Sequence, residues 1–92
     1  MLENDENCNS DGRWRIISFD IPENIRNKRN SFRRIIKRIG FKQIQKSLWI
    51  CPYNKADQIE FVVDELKINQ YVAYFIVEKT DINDYLIHKF KI

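Results

Sequence analysis

Asp20 is the residue whose placement most invites chemistry. It stands near the end of an apolar run, Trp14 to Ile21 (WRIISFDI), in a kind of segment where aspartate is depleted in favour of branched and aromatic side chains. A carboxylate at a strand exit has two readings. It can cap the turn that follows, accepting backbone N–H bonds near Glu23. Alternatively, a twofold-related copy brings a second Asp20 close, and two such carboxylates repel each other and invite a divalent cation such as Mg2+. A cation held there would polarise a phosphate and activate water for phosphodiester hydrolysis. The second feature is a run of cations: Arg26, Arg29, Arg33 and Lys37 recur at i, i+3, i+7 and i+11, with Arg34 and Arg38 one turn apart on another flank. Guanidinium groups hold phosphate oxygens bidentately, so this face suits a nucleic-acid backbone, although it also suits plain solvation. At about 100° per residue, Arg29 falls beside the apolar stripe of its helix. It could reach toward Asp20, or simply pack its stem and keep its head in water. Third, Gln45 and Ser47 are polar positions in strand-like sequence. They could line the sheet end beside Asp20 and position a phosphate or water, or merely face solvent. The candidate catalytic set is therefore Asp20, Arg29 and Ser47, with Asp20 as the metal ligand. The candidate nucleic-acid-binding set is Arg26, Arg29, Arg33, Arg34, Lys37 and Arg38.

These residues need elements to position them. Trp14 to Ile21 reads as a central strand that puts Trp14, Ile16, Ser18 and Asp20 on one face and Arg15, Ile17, Phe19 and Ile21 on the other. Pro22, which cannot donate to a ladder, stops it. Residues 23–39 read as a helix with an apolar stripe through Ile25, Phe32, Ile36 and Ile39 and with Gly40 as its terminator. Glu23 at its start and Lys37 and Arg38 in its last turn suit the helix dipole. Phe41 to Gln45 and Ser47 to Cys51 read as two short strands, a hairpin around Lys46, closed by Pro52. Residues 54–67 read as a second helix, capped by Asn54, with Ile59, Val62, Val63 and Leu66 on its apolar face. Tyr71 to Glu78 is the clearest strand. Residues 81–92 suit either a last helix, built on Ile82, Tyr85, Leu86 and Phe90, or an arm that docks on a partner. Trp49 and Phe75 fit a core or a dimer interface better than a base-stacking platform.

The order β-α-β-β-α-β is the ferredoxin-like split βαβ arrangement, an α+β fold with one antiparallel sheet and both helices on one face. The other sheet face needs a cover, and a second copy of the chain is an economical one. Residues 1–12 read as a flexible polar tail, 13–80 as the folded domain and 81–92 as the C-terminal arm or helix.

Composition bounds the function. The 92 residues make one domain, 43% hydrophobic and 32% charged, an ordinary globular balance. No apolar run approaches the roughly 20 residues that cross a bilayer. The acidic start does not resemble a signal peptide, so a cytoplasmic location is expected. The first 12 residues carry Glu3, Asp5, Glu6 and Asp11 and no Lys or Arg, leaving 16 basic and 9 acidic residues for the rest, a net +7 that attracts polyanions. Cys8 and Cys51 are expected as free thiols, and with His88 distant in sequence they have no zinc-ligand spacing. A Gly-rich phosphate loop, a nucleophile elbow and helix-turn-helix signals are all lacking.

Asp20 after the first strand, the Arg-bearing first helix, Gly40 and then Gln45-Lys46-Ser47-Leu48-Trp49 resemble the CRISPR-associated protein 2 family over roughly residues 14–78. That resemblance matches Asp20 to a metal-associated aspartate, Arg29 to a helix-one arginine and Ser47 to the serine of the second motif. It implies a homodimer that binds duplex DNA and bridges integrase subunits during CRISPR spacer acquisition, in some members with Mg2+-dependent endonuclease activity. Asp11 to Glu23 (DGRWRIISFDIPE), the Arg-rich helix and Trp49-Ile50-Cys51-Pro52-Tyr53 also resemble the middle domain of PaaX-type transcriptional repressors, which has the same fold. That alternative implies a module for dimerisation or ligand sensing. Such repressors carry an N-terminal winged helix where this chain has only a short polar tail, which favours the CRISPR-type role, whereas the motif details, with Pro22 and Trp49, favour the repressor-type branch.

Overall fold

The structure is a computed structural model and describes residues 11–91. The expected polar tail, apart from Asp11 and Gly12, lies outside the described residues, as does Cys8.

Strand β1 (Trp14–Phe19) is followed by a short 3-10 turn (Glu23–Ile25) and helix α1 (Arg26–Ile39). Strands β2 (Lys42–Gln45) and β3 (Leu48–Cys51), helix α2 (Ala56–Leu66), strand β4 (Val72–Val77) and helix α3 (Asn83–Phe90) complete the order. The four strands form one sheet in the order β2-β3-β1-β4, every neighbouring pair antiparallel. This is the α+β, ferredoxin-like architecture read from the sequence. Boundaries move by a few residues. The first strand stops at Phe19 rather than Ile21, and residues 23–25 wind more tightly before α1 begins. The expected hairpin is present with Lys46 and Ser47 as its turn, so Ser47 is a turn residue and not a strand residue. The irregular register at Gln43 and Gln45 is a local break in the ladder.

Alternation along β1 sorts the two faces as the sequence predicts. Ile17 and Phe19, opposite Trp49, Tyr74 and Val72, face α1 and α2. There they pack with Phe32 and Ile36 of α1 and Ile59 and Val63 of α2, giving the main core. Phe19 and Phe32 meet edge to face, their centroids 5.2 Å apart. Helix α1 ends where Gly40 takes φ +128°, a conformation that L side chains rarely adopt, with its N–H directed to the carbonyls of Ile36 and Lys37. At α2, Asn54 caps from one position further out than a standard N-cap: its Oδ1 accepts the Ala56 N–H at 3.2 Å.

The opposite face, for which a second copy was the expected cover, is covered in part by the chain itself. Helix α3 buries Leu86 against Trp14 and Ile50, with Ile16, Ile44, Val77 and Phe90 around them. Both ends of α3 are tied to the sheet. The Trp14 indole N–H donates to Asn83 Oδ1 at 2.9 Å. At the other end, the Lys42 ammonium donates to the Lys89 carbonyl at 3.2 Å and lies 5.1 Å from the Phe90 ring centre. The half of this face nearest Asp20 stays open, with Phe75 half exposed beside Ala73. Trp49 belongs to the main core.

Candidate phosphate-binding site

Pro22 ends β1 and turns the chain toward α1, leaving Asp20 one residue past the strand. Its N–H donates to the Tyr71 carbonyl at 3.0 Å, and the Phe19 N–H reaches the Ser47 carbonyl at 3.4 Å. These two bonds set Asp20 between the start of β4 and the β2–β3 turn. The turn is braced by the Gln43 side-chain amide, which donates to the Lys46 carbonyl at 2.8 Å. Helix α1 passes over the same end of the sheet.

The result is an open cleft of about 610 Å³ lined by Ser18, Asp20, Arg29, Arg33, Lys46 and Ser47, among others. Three of its side chains are cations and one is a carboxylate. The structure thus brings together Asp20, Arg29 and Ser47, the residues singled out for chemistry, and adds Arg33 from the cationic set. Gln45 is exposed on the edge strand and does not line the cleft. Lys46 and Ser18 were missed as site residues. Lys46 sits at the tip of a hairpin turn and Ser18 on the Asp20 face of β1, and those placements were the available signals.

Asp20 is exposed, and its carboxylate accepts no hydrogen bond among the described residues, so the turn-capping reading does not hold. Arg29 is partly buried at the helix stripe, as expected, but its Nη1 donates to Glu23 Oε1 at 3.2 Å rather than to Asp20. Its Nε is buried with no partner. Arg26 donates to the other Glu23 oxygen at 2.9 Å. Arg33, Lys37, Arg38 and Lys46 form no ion pair among the described residues, and Arg34 makes only a 3.4 Å contact with the Ser31 hydroxyl. Arg26, Arg34, Lys37 and Arg38 lie outside the cleft, exposed along α1. Lys37 lines a second groove with Lys42 and Lys89, which carries positive charge past the end of α1.

Cations and hydroxyls in an open cleft suit a phosphate diester, whose oxygens accept bidentate guanidinium bonds. A resident Mg2+ fits less well within one chain. It demands near-octahedral oxygen ligation, usually anchored by one or two carboxylates and completed by waters and substrate phosphates. The cleft offers a single carboxylate surrounded by cations, and no group of three metal-ligating side chains occurs among the described residues.

The comparison with known families agrees with this fold. A family model described as the PaaX protein central Cas2-like domain matches residues 7–86. The chain belongs to that family. No curated protein matches it. Of the two resemblances read from the sequence, the match names the PaaX branch and also describes that branch as Cas2-like. The matched span includes DGRWRIISFDIPE, and the strand exit and first helix that build the cleft lie within it. No helix among the described residues is long and apolar enough to cross a membrane.

Proposed function

We propose that this PaaX-type, Cas2-like domain is a dimeric module that binds the phosphate backbone of duplex DNA. The observation that carries the reading is the set of cations that form no ion pair among the described residues: Lys46 and Arg33 at the cleft, Lys37 and Arg38 on α1, and Lys42 and Lys89 in the groove past its end. Fourteen residues of α1 extend about 21 Å, comparable to the rise of about six base pairs. Cations spaced along that length position a duplex without reading bases. A second copy would cover the open half of the outer sheet face around Phe75 and bring the two Asp20 positions toward a common axis. In this reading the domain contributes dimerisation and backbone affinity to a transcriptional regulator. The integrase-bridging role in spacer acquisition draws only on the likeness to the CRISPR-associated proteins and takes second place to the PaaX family match.

A hydrolytic reading is supported by one feature, the exposed Asp20 carboxylate, which has no partner among the described residues, beside Ser47. Because one chain supplies a single carboxylate, that reading requires Asp20 of both copies. The deciding experiment incubates the chain and Asp20→Ala with labelled duplex DNA and single-stranded RNA, with Mg2+ or with EDTA. Salt-sensitive duplex retention by both proteins, without cleavage, is the expected result. Mg2+-dependent cleavage lost in the variant would establish the endonuclease instead, and neither retention nor cleavage would contradict both readings.

A further inference from the structure

Glu23 occupies a singular position on the basic surface. It lies in the tight turn that leads into α1, and its two carboxylate oxygens each take a different arginine, Arg26 at 2.9 Å and Arg29 at 3.2 Å. The hydrogen bond from Arg26, then that from Arg29, keeps the Glu23 carboxyl below its ordinary pKa, so the bridge is charged at neutral pH. Asp20 lines the same cleft as Arg29 and Arg33 yet pairs with neither. The two arginines at the start of α1 are therefore occupied by one specific acid, while the cations further along have no acidic partner among the described residues.

We propose that Glu23 is an internal competitor for phosphate, holding Arg26 and Arg29 in the free domain and yielding them when a polyanion also engages the unpaired α1 cations. The proposal rests on the duplex-binding reading and adds a selectivity to it. An exposed ion pair is weak, so a backbone phosphate can displace it. A small phosphate that met only Arg26 and Arg29 would exchange one anion for another with little gain. A duplex that reaches Arg33, Lys37 and Lys46 at the same time gains contacts for which no ion pair among the described residues competes. Glu23 thus lowers the affinity of every phosphate that takes these arginines, and that cost is a larger share of the total binding free energy for a short one.

The test measures binding of the 92-residue chain to a short labelled duplex over a salt series. It compares the wild type, Glu23→Gln, the pair Arg26→Gln with Arg29→Gln, and all three substitutions together, with circular dichroism verifying the fold of each. Glu23→Gln is expected to tighten binding several-fold. The log–log salt dependence should stay close to that of the wild type, because the same phosphate contacts form in both complexes. The gain should vanish once both arginines are replaced, which separates competition at these residues from a general change in net charge. Glu23→Ala serves as a second removal, in case the glutamine amide itself engages an arginine. Unchanged or weaker binding by both Glu23 variants overturns the proposal, and so does an equal gain in the background lacking the two arginines. If none of the proteins shows salt-dependent retention, the duplex reading fails and this proposal fails with it. Retention by the wild type with no gain on removing Glu23 defeats the competitor role alone.

Discussion

Arg15 is the least expected residue of the domain. It lies on the helix-facing side of β1 and is only 3% exposed. Burying a guanidinium is costly unless it is paired and hydrogen-bonded. Asp11 provides that pairing through two bonds, at 2.7 and 2.9 Å, and the Arg13 carbonyl adds a third at 3.2 Å. Asp11, which composition groups with the polar tail, is therefore the partner of a buried charge. The Arg15 hydrogen bond holds the Asp11 carboxyl well below the usual carboxylate range. Because folding lowers this pKa, the stabilisation is present above the unfolded value of about 4 and is lost as pH falls below it toward the folded value. Asp11→Asn is expected to cost about 1–2 kcal/mol near neutral pH. In urea melts repeated from about pH 7 down to about pH 3, its deficit relative to wild type should shrink with acidification; a constant gap would show that the ion pair is not what matters. Asp20 was legible at this scale, because an aspartate after an apolar strand departs from strand preference. The Arg15 pair was not. The alternation of β1 put Arg15 on the inner face, but nothing in the pattern indicates that the Asp11 side chain turns back to meet it.

At the scale of elements, period-two and helical patterns placed four strands and two helices, and Pro22, Gly40 and Pro52 punctuated them. The C-terminal segment stayed ambiguous because its decisive contacts are distant in sequence. Ile82 and Tyr85, half of its apparent apolar set, are exposed, while Leu86 is completely buried. The outer-face residues Trp14 and Ile50, with Ile16, Ile44 and Val77 around them and the bonds from Trp14 and Lys42, select the docked helix over a free arm. Leu86→Ala should therefore behave as a core truncation, costing about 2–5 kcal/mol, with proteolysis then released at residues 81–91. A stability change within about 0.5 kcal/mol, as for an ordinary surface position, would contradict the role of α3 as the cover of that face. The cleft was legible in part. Asp20, Arg29 and Ser47 were grouped from strand exit, helix phase and motif, whereas Lys46 emerged only once the hairpin turn was seen to swing toward α1.

At the scale of the whole molecule, part of the basic charge left after the acidic N-terminal stretch gathers at two grooves, with Arg29, Arg33 and Lys46 at one and Lys37, Lys42 and Lys89 at the other. Sequence alone gave the count of cations and their helical phase. It could not give their pairing, and pairing decides which of them are available: Arg13, Arg15, Arg26 and Arg29 have acidic partners, while Arg33, Lys37, Arg38 and Lys46 have none among the described residues. The central claim is that these unpaired cations grip a duplex backbone. It is tested most directly by measuring duplex affinity between about 50 and 200 mM salt for the wild type and for Arg33→Gln combined with Lys37→Gln. About four phosphate contacts predict roughly a 100-fold loss of wild-type affinity over that range, with a log–log slope shallower by about two in the variant. An affinity that does not change with salt, or a variant whose slope equals that of the wild type, would contradict the account.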